Sequence, residues 1–198
     1  PLVAVVLGLN VRHRERLPKA GPAIVVANHN SHLDTLVLMS LFPLAQLPHL
    51  RPVAAEDYFF RNRPLKWFSL NIMGIIPLDR KLRSSGRHPF APIDEALERG
   101  DVVVLFPEGS RGEPERLTNF KSGIAHLAER HPAVPISPVY LHGLGKSLPR
   151  GEALLVPFFC DVFAGELLTW TGDRRSFMER LTGRMTELAA EGQFAAWE

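Results

Sequence analysis

The chain has 198 residues, 45% of them hydrophobic and 22% charged. That length suits one α/β domain with a filled core and is short for two, and the composition is globular rather than disordered. A formal net charge of +2 excludes the broad basic stripe of a nucleic-acid binder, and the single cysteine, Cys160, excludes an internal disulfide and fits a reducing compartment.

Short apolar runs rich in Val and Ile recur at 23–27, 52–55, 74–78, 102–106, 136–141 and 154–159. Between or after them, helical spacing predicts helices over 31–42, 58–71, 89–99, 120–131 and 174–191. This alternation predicts a single-domain α/β fold, a mostly parallel sheet of about six strands flanked by helices. Ligands of such folds collect at the carboxyl ends of the strands. The segment 143–151 reads as an exposed loop, and Cys160, inside the apolar run 157–163, reads as a small buried hydrophobe. No run reaches the ~18 apolar residues of a membrane span. The opening run 2–9 is apolar but short, and a membrane anchor upstream of Pro1 is compatible with it.

Four clusters carry candidate chemistry. After the first predicted strand come Asn28, His29, Asn30, Ser31, His32, Leu33 and Asp34. Ser31 and Asp34 have the spacing of a capping box, so the helix is expected to begin at Ser31, with His29 in the loop before it. From there the imidazole can fold back onto the Asp34 carboxylate. The carboxylate would then fix the tautomer and leave the second ring nitrogen to take a proton from an alcohol. The competing reading is a helix-capping aspartate beside a polar turn residue. His32 has no third metal ligand near it and is read as structural.

Arg80 closes the third run, where a guanidinium can fork onto a phosphate. Glu108, Gly109, Ser110 and Arg111 follow the fourth run. Gly109 permits a tight turn that exposes backbone N–H groups, and Arg111 adds fixed positive charge, which together make an anion cradle. A carboxylate repels phosphate, so Glu108 is expected to orient Arg80 or Arg111, or to accept from a ligand hydroxyl. Lys121, at the opening of the next predicted helix, is a further candidate anion contact. The fourth cluster, 134–139, contains Pro135 and Pro138 and no titratable group.

The blocks His29–Asp34, 74–80, 106–111 and 134–139, in this order, resemble the glycerolipid acyltransferase family, whose best-known members are the bacterial lysophosphatidic acid acyltransferases. The resemblance runs from about 21 to 139. It implies His29 as general base with Asp34 as partner, and it places Arg80, Glu108, Gly109 and Arg111 at an acceptor glycerol-phosphate site. It also implies that the block around Pro135 holds the acyl chain or shapes the site. The implied reaction moves a fatty acyl group from acyl-CoA or acyl-carrier protein to a lysophospholipid hydroxyl, by default that of 1-acyl-glycerol-3-phosphate. No metal or other cofactor is expected. The expected partners are the lysophospholipid acceptor, acyl-CoA or acyl-carrier protein, and a membrane surface. The expected location is peripheral, on the cytoplasmic face. Tyr58, Phe59, Phe60, Trp67 and Phe68, interleaved with Arg61, Arg63 and Lys66, form a candidate interfacial surface, with Pro64 expected to interrupt any long helix there. The rival readings are a peripheral lipid-binding module without turnover, an acyltransferase for another lyso-lipid, and a lipid-ester hydrolase, although the glycine-flanked serine of the usual nucleophile turn is missing.

Overall fold

The computed structural model describes residues 8–31, 33–55, 63–78, 88–109, 117–144 and 160–194. Seven strands form one sheet: β1 (Leu9–Arg12), β2 (Ala23–Ala27), β3 (Leu50–Ala55), β4 (Ile76–Leu78), β5 (Val102–Leu105), β6 (Ile136–His142) and β7 (Cys160–Ala164). Their order is β1-β7-β6-β2-β5-β3-β4, and every pairing is parallel except β6 with β7. Five α-helices occur among the described residues: α1 (Leu33–Ser40), α2 (Arg63–Asn71), α3 (Ala91–Glu98), α4 (Gly123–Arg130) and α5 (Arg174–Glu191).

The sheet has one strand more than expected. Residues 9–12 pair with β7 through Leu9↔Cys160 to Arg12↔Phe163, so an edge strand begins at the last residue of the opening apolar run. The run 154–159 lies outside the described residues, and the strand in that region is Cys160–Ala164. Cys160 is fully buried there. Gly143 and Leu144 are also buried, contrary to the exposed loop expected from 143 onward, while 145–151 lies outside the described residues. Of the helix expected over 58–71, the structure describes α2, Arg63–Asn71, while Tyr58, Phe59, Phe60 and Arg61 lie outside the described residues. Pro64 is the second residue of the described helix, and a proline in a first helical turn removes an N–H that has no helical acceptor.

Strand β2 shows how the two layers are built. It is buried at every position, and its side chains alternate between faces. Ala23, Val25 and Ala27 join a core with Val37 and Leu38 of α1 and Val102, Val104, Val139 and Leu141 of the neighbouring strands. Ile24 and Val26 enter the opposite core, made with Ile93 and Leu97 of α3, Ile124 and Leu127 of α4, and Phe177, Leu181 and Met185 of α5. The continuous apolar run in the sequence is the mark of a central parallel strand covered on both sides.

The connections set where a ligand can enter. The chain leaves β2 through α1 on one face and leaves β5 through α4 on the other. β2 and β5 are neighbours, so their carboxyl ends diverge and open a crevice at this switch point.

Candidate active site

The register of β2 with β5 runs from Ala23↔Val102 to Val26↔Leu105. Carried three residues further, it sets His29 beside Glu108, at the mouth of the crevice. The geometry bears this out: the His29 backbone N–H donates to Glu108 Oε1 at 3.3 Å, and the His29 ring stacks on Phe106 with centroids 4.3 Å apart and planes at 23°.

His29 Nδ1 lies 2.8 Å from Asp34 Oδ2. Asp34 is fully buried while the imidazole keeps about a fifth of its side chain exposed (21%). Two backbone donors converge on the same oxygen, Asn30 N–H at 2.6 Å and Ser31 N–H at 2.9 Å. An N–H can only donate, so Oδ2 is held as an acceptor and Nδ1 carries the proton that faces it. The second ring nitrogen, Nε2, is then the basic one. Burial pushes the Asp34 carboxyl above its ordinary value, and the His29 hydrogen bond and charge together with the two backbone N–H groups oppose that rise.

Helix α1 starts two residues later than expected, and only half of the capping box forms. The Asp34 side chain reaches back to Ser31 N–H, but the Ser31 hydroxyl accepts from Leu33 N–H at 3.3 Å rather than from Asp34 N–H. The carboxylate therefore serves the helix start and the imidazole at once. His32 lies outside the described residues.

Two asparagines that spacing did not single out complete the loop. Asn28 is fully buried, and its side chain behaves as a peptide group toward β6: Nδ2 donates to Leu141 O at 2.9 Å, and Oδ1 accepts from Leu141 N–H at 2.7 Å. Asn30 Nδ2 donates to the same carbonyl at 3.0 Å. The loop bearing His29 is thus tied to β6 on one side and to Glu108 on the other. The only sequence signal was the pair of asparagines flanking the histidine, at positions where the strand ladder would otherwise end with unpaired groups. Phe106, the stacking partner, was equally missed as a site residue, since an aromatic closing a strand reads as core.

Glu108 is buried, and its Oε1 accepts from the His29 backbone N–H. Burial lifts its carboxyl above the ordinary value. Thr118 and the His29 N–H oppose the rise, and the nearby Asp34 charge adds to it. Its expected partners Arg80 and Arg111, and Ser110 beside them, lie outside the described residues. Gly109 makes the expected tight turn, with φ at +72° and its N–H donating to Phe106 O at 3.1 Å. Lys121 precedes α4, which begins at Gly123, and its N–H donates to Pro107 O at 2.9 Å. Its side chain lies over Gly109: a Cβ added there would stand 2.5 Å from Lys121 Nζ. His29, Asp34, Glu108, Gly109 and Lys121 are therefore gathered at one end of the sheet.

Pro135 is not gathered there. It stands just before β6, and its carbonyl accepts from Ile24 N–H at the opposite end of β2. Parallel pairing carries that end away from His29 by roughly 15–20 Å at strand rise. Nearer the site, it is Val139 of the same block that pairs beside Ala27.

A buried carboxylate hydrogen-bonded to a part-exposed imidazole, at the switch point of a mostly parallel α/β sheet, is an arrangement chemically able to take a proton from a ligand hydroxyl. The chain belongs to the Acyltransferase family, whose model matches residues 8–142. It is 32% identical over 151 residues to the chloroplastic 1-acyl-sn-glycerol-3-phosphate acyltransferase LPAT1 of Arabidopsis thaliana, a match covering 73% of this chain and 38% of the relative. It is 32% identical over 134 residues to the 1-acyl-sn-glycerol-3-phosphate acyltransferase alpha of Ovis aries, covering 67% and 44%. It is 30% identical over 137 residues to the lyso-ornithine lipid O-acyltransferase of Rhizobium meliloti (strain 1021), covering 69% and 44%. The matches thus span less than half the length of these relatives. The crystal structure of the 1-acyl-sn-glycerophosphate (LPA) acyltransferase PlsC from Thermotoga maritima shares the fold, with a TM-score of 0.77, 20% identity, and coverage of 96% of this chain and 73% of that one.

Proposed function

We propose that this protein transfers a fatty acyl group from the thioester of acyl-CoA or acyl-carrier protein to the free hydroxyl of a lysophospholipid, with 1-acyl-glycerol-3-phosphate as first choice. The observation that carries the reading is the 2.8 Å contact between His29 Nδ1 and the buried Asp34 carboxylate. In this reading Nε2 takes the hydroxyl proton as the oxygen attacks the thioester carbonyl. The C–S bond breaks, the proton passes to the departing sulfur, and an ester and a free thiol result. A thioester is already activated, so the reaction needs no acyl-enzyme and no metal or other cofactor.

The acceptor's phosphate would meet Lys121, the turn at Gly109 and Ser110, and the guanidiniums of Arg80 and Arg111. Glu108 would hold the His29 loop rather than the anion. Pro135 has no part at the reacting atoms. A lipid acceptor also implies a protein that works at a membrane, held peripherally on the cytoplasmic face. Among the described residues no helix is long and apolar enough to cross one.

A lyso-aminolipid acceptor is favoured as the second reading by the similarity to the lyso-ornithine lipid enzyme. One assay separates the readings: labelled acyl-CoA is offered with lysophosphatidic acid, lysophosphatidylcholine or lyso-ornithine lipid, thiol release is followed colorimetrically, and products are identified by mass. Acylation of lysophosphatidic acid above the others is expected. Preference for lyso-ornithine lipid would move the assignment to the second reading, thiol release independent of acceptor would make the protein a hydrolase, and no release with any acceptor would make it a binding module.

A further inference from the structure

Helix α2 lies at the margin of the sheet, between β3 and the edge strand β4, and its outward residues are of two kinds. Trp67 is 60% exposed and Phe68 44%, and Ile72, directly after the helix, is 58% exposed. Beside them Arg63 and Lys66 are exposed as well. Among the described side chains of the helix, Ser69 is buried and Leu70 partly buried, while Trp67 and Phe68 turn outward. From 63 to 78 the chain contains these two cations and no acid.

Three large apolar groups in water are costly to a folded domain, and a tryptophan flanked by cations is suited to the headgroup level of a bilayer. We propose that this outward side of α2 is a docking surface for anionic lipid. Trp67, Phe68 and Ile72 enter the interface, and Arg63 and Lys66 remain at the level of the phosphates. The placement is consistent with delivery of substrate. Ile75 N–H donates to Ser69 O, which turns the chain into the amino end of β4. The helix therefore descends toward that end, and its first turn, with Arg63 and Lys66, lies toward the same end of the sheet as His29. This inference shares with the acyl-transfer reading the premise of a membrane-held acceptor, but it is tested by binding alone.

The test is co-sedimentation of the purified chain with vesicles of phosphatidylglycerol and, separately, of phosphatidylcholine. Preferential binding to phosphatidylglycerol is expected. Arg63→Gln and Lys66→Gln should each weaken it by about fivefold, and the double variant Trp67→Ser/Ile72→Ser by at least about tenfold. All of these residues are exposed, so the variants should keep the melting temperature and the turnover of a short-chain, monomeric acceptor. A second measurement does not depend on weakened binding: in a Trp170→Phe/Trp197→Phe background, Trp67 emission should shift to the blue when phosphatidylglycerol vesicles are added. Four results would overturn the proposal: variants that bind vesicles as the parent does, Trp67 emission that stays put, equal binding to phosphatidylcholine, or a serine variant that only converts a dimer to a monomer. Loss of acyl transfer with vesicle binding intact would instead count against the catalytic reading and leave this surface standing.

Discussion

At the scale of single residues the site depends on one nitrogen. Asp34 Oδ2 holds the proton of His29 on Nδ1, so the basic lone pair sits on Nε2. Replacing His29 by Ala should lower kcat by about 10²–10⁴-fold, the usual cost of losing a general base. The melting temperature should stay near the parent's, because the ring is part-exposed and the Asn28, Asn30 and Glu108 contacts do not need it. Near-normal turnover in this variant would rule the mechanism out. Glu108 gives a pH-dependent expectation. Its carboxyl is lifted by burial, so the folded protein binds that proton more tightly than the unfolded chain does. The resulting penalty is absent below the unfolded value and grows as pH rises through the lifted one, so it lowers stability at neutral pH. Glu108→Gln keeps an oxygen for His29 N–H and removes the charge. Its melting temperature should match the parent's in acid and exceed it at neutral pH, while Glu108→Ala should lose more kcat than Glu108→Gln because nothing then accepts from the loop.

At the scale of elements, what matters is how strand ends become loops. The turn after β5 needs Gly109, both because φ is +72° and because Lys121 fills the space above it. Gly109→Ala should therefore destabilise by about 1–2 kcal/mol from left-handed backbone alone. It should also raise KM for a phosphate-bearing acceptor more than for a neutral one, through displacement of the Lys121 ammonium. Equal effects on both acceptors, measured by steady-state kinetics, would remove Lys121 from the anion site. The turn after β2 works differently. The ladder with β6 is extended by a side chain, Asn28, and not by backbone, which leaves the chain free to swing toward Asp34. Local spacing suggested that His29 and Asp34 could meet. It carried no sign that Asn28 would be the hinge, because the partner, Leu141, lies 113 residues further along the chain.

At the scale of the whole molecule, α3 and α4 of one helical layer are joined by a part-buried ionic contact away from the site. Asp94 of α3 accepts from Arg130 Nη2 at 2.6 Å and from His131 Nε2 at 2.8 Å at the end of α4. Burial opposes ionisation of Asp94, but these hydrogen bonds outweigh it and hold the carboxyl below its ordinary value. Such a group contributes stability above its unfolded pKa and loses that contribution as pH falls through its folded one. Asp94→Asn should cost roughly 1.5–3 kcal/mol at neutral pH, as lost hydrogen bonds to charged groups do, with the gap closing in acid. Chemical denaturation at several pH values measures this directly, and a gap that does not change with pH would refute it.

The sequence by itself determined the α/β class, the span of β2, the span of α5 and the pairing of His29 with Asp34. Each of these is written in nearby residues, as unbroken apolar runs, a 3.6-residue period or a loop of five positions. Only the tertiary structure decided that residues 9–12 are a seventh strand, that Asn28 and Glu108 brace the histidine from two sides, that Lys121 covers Gly109, and that Pro135 stands at the far end of the sheet. Those outcomes depend on which strand lies beside which. Strand order is set by packing two helical layers onto one twisted sheet, through contacts between residues far apart in the chain, and no local pattern encodes them.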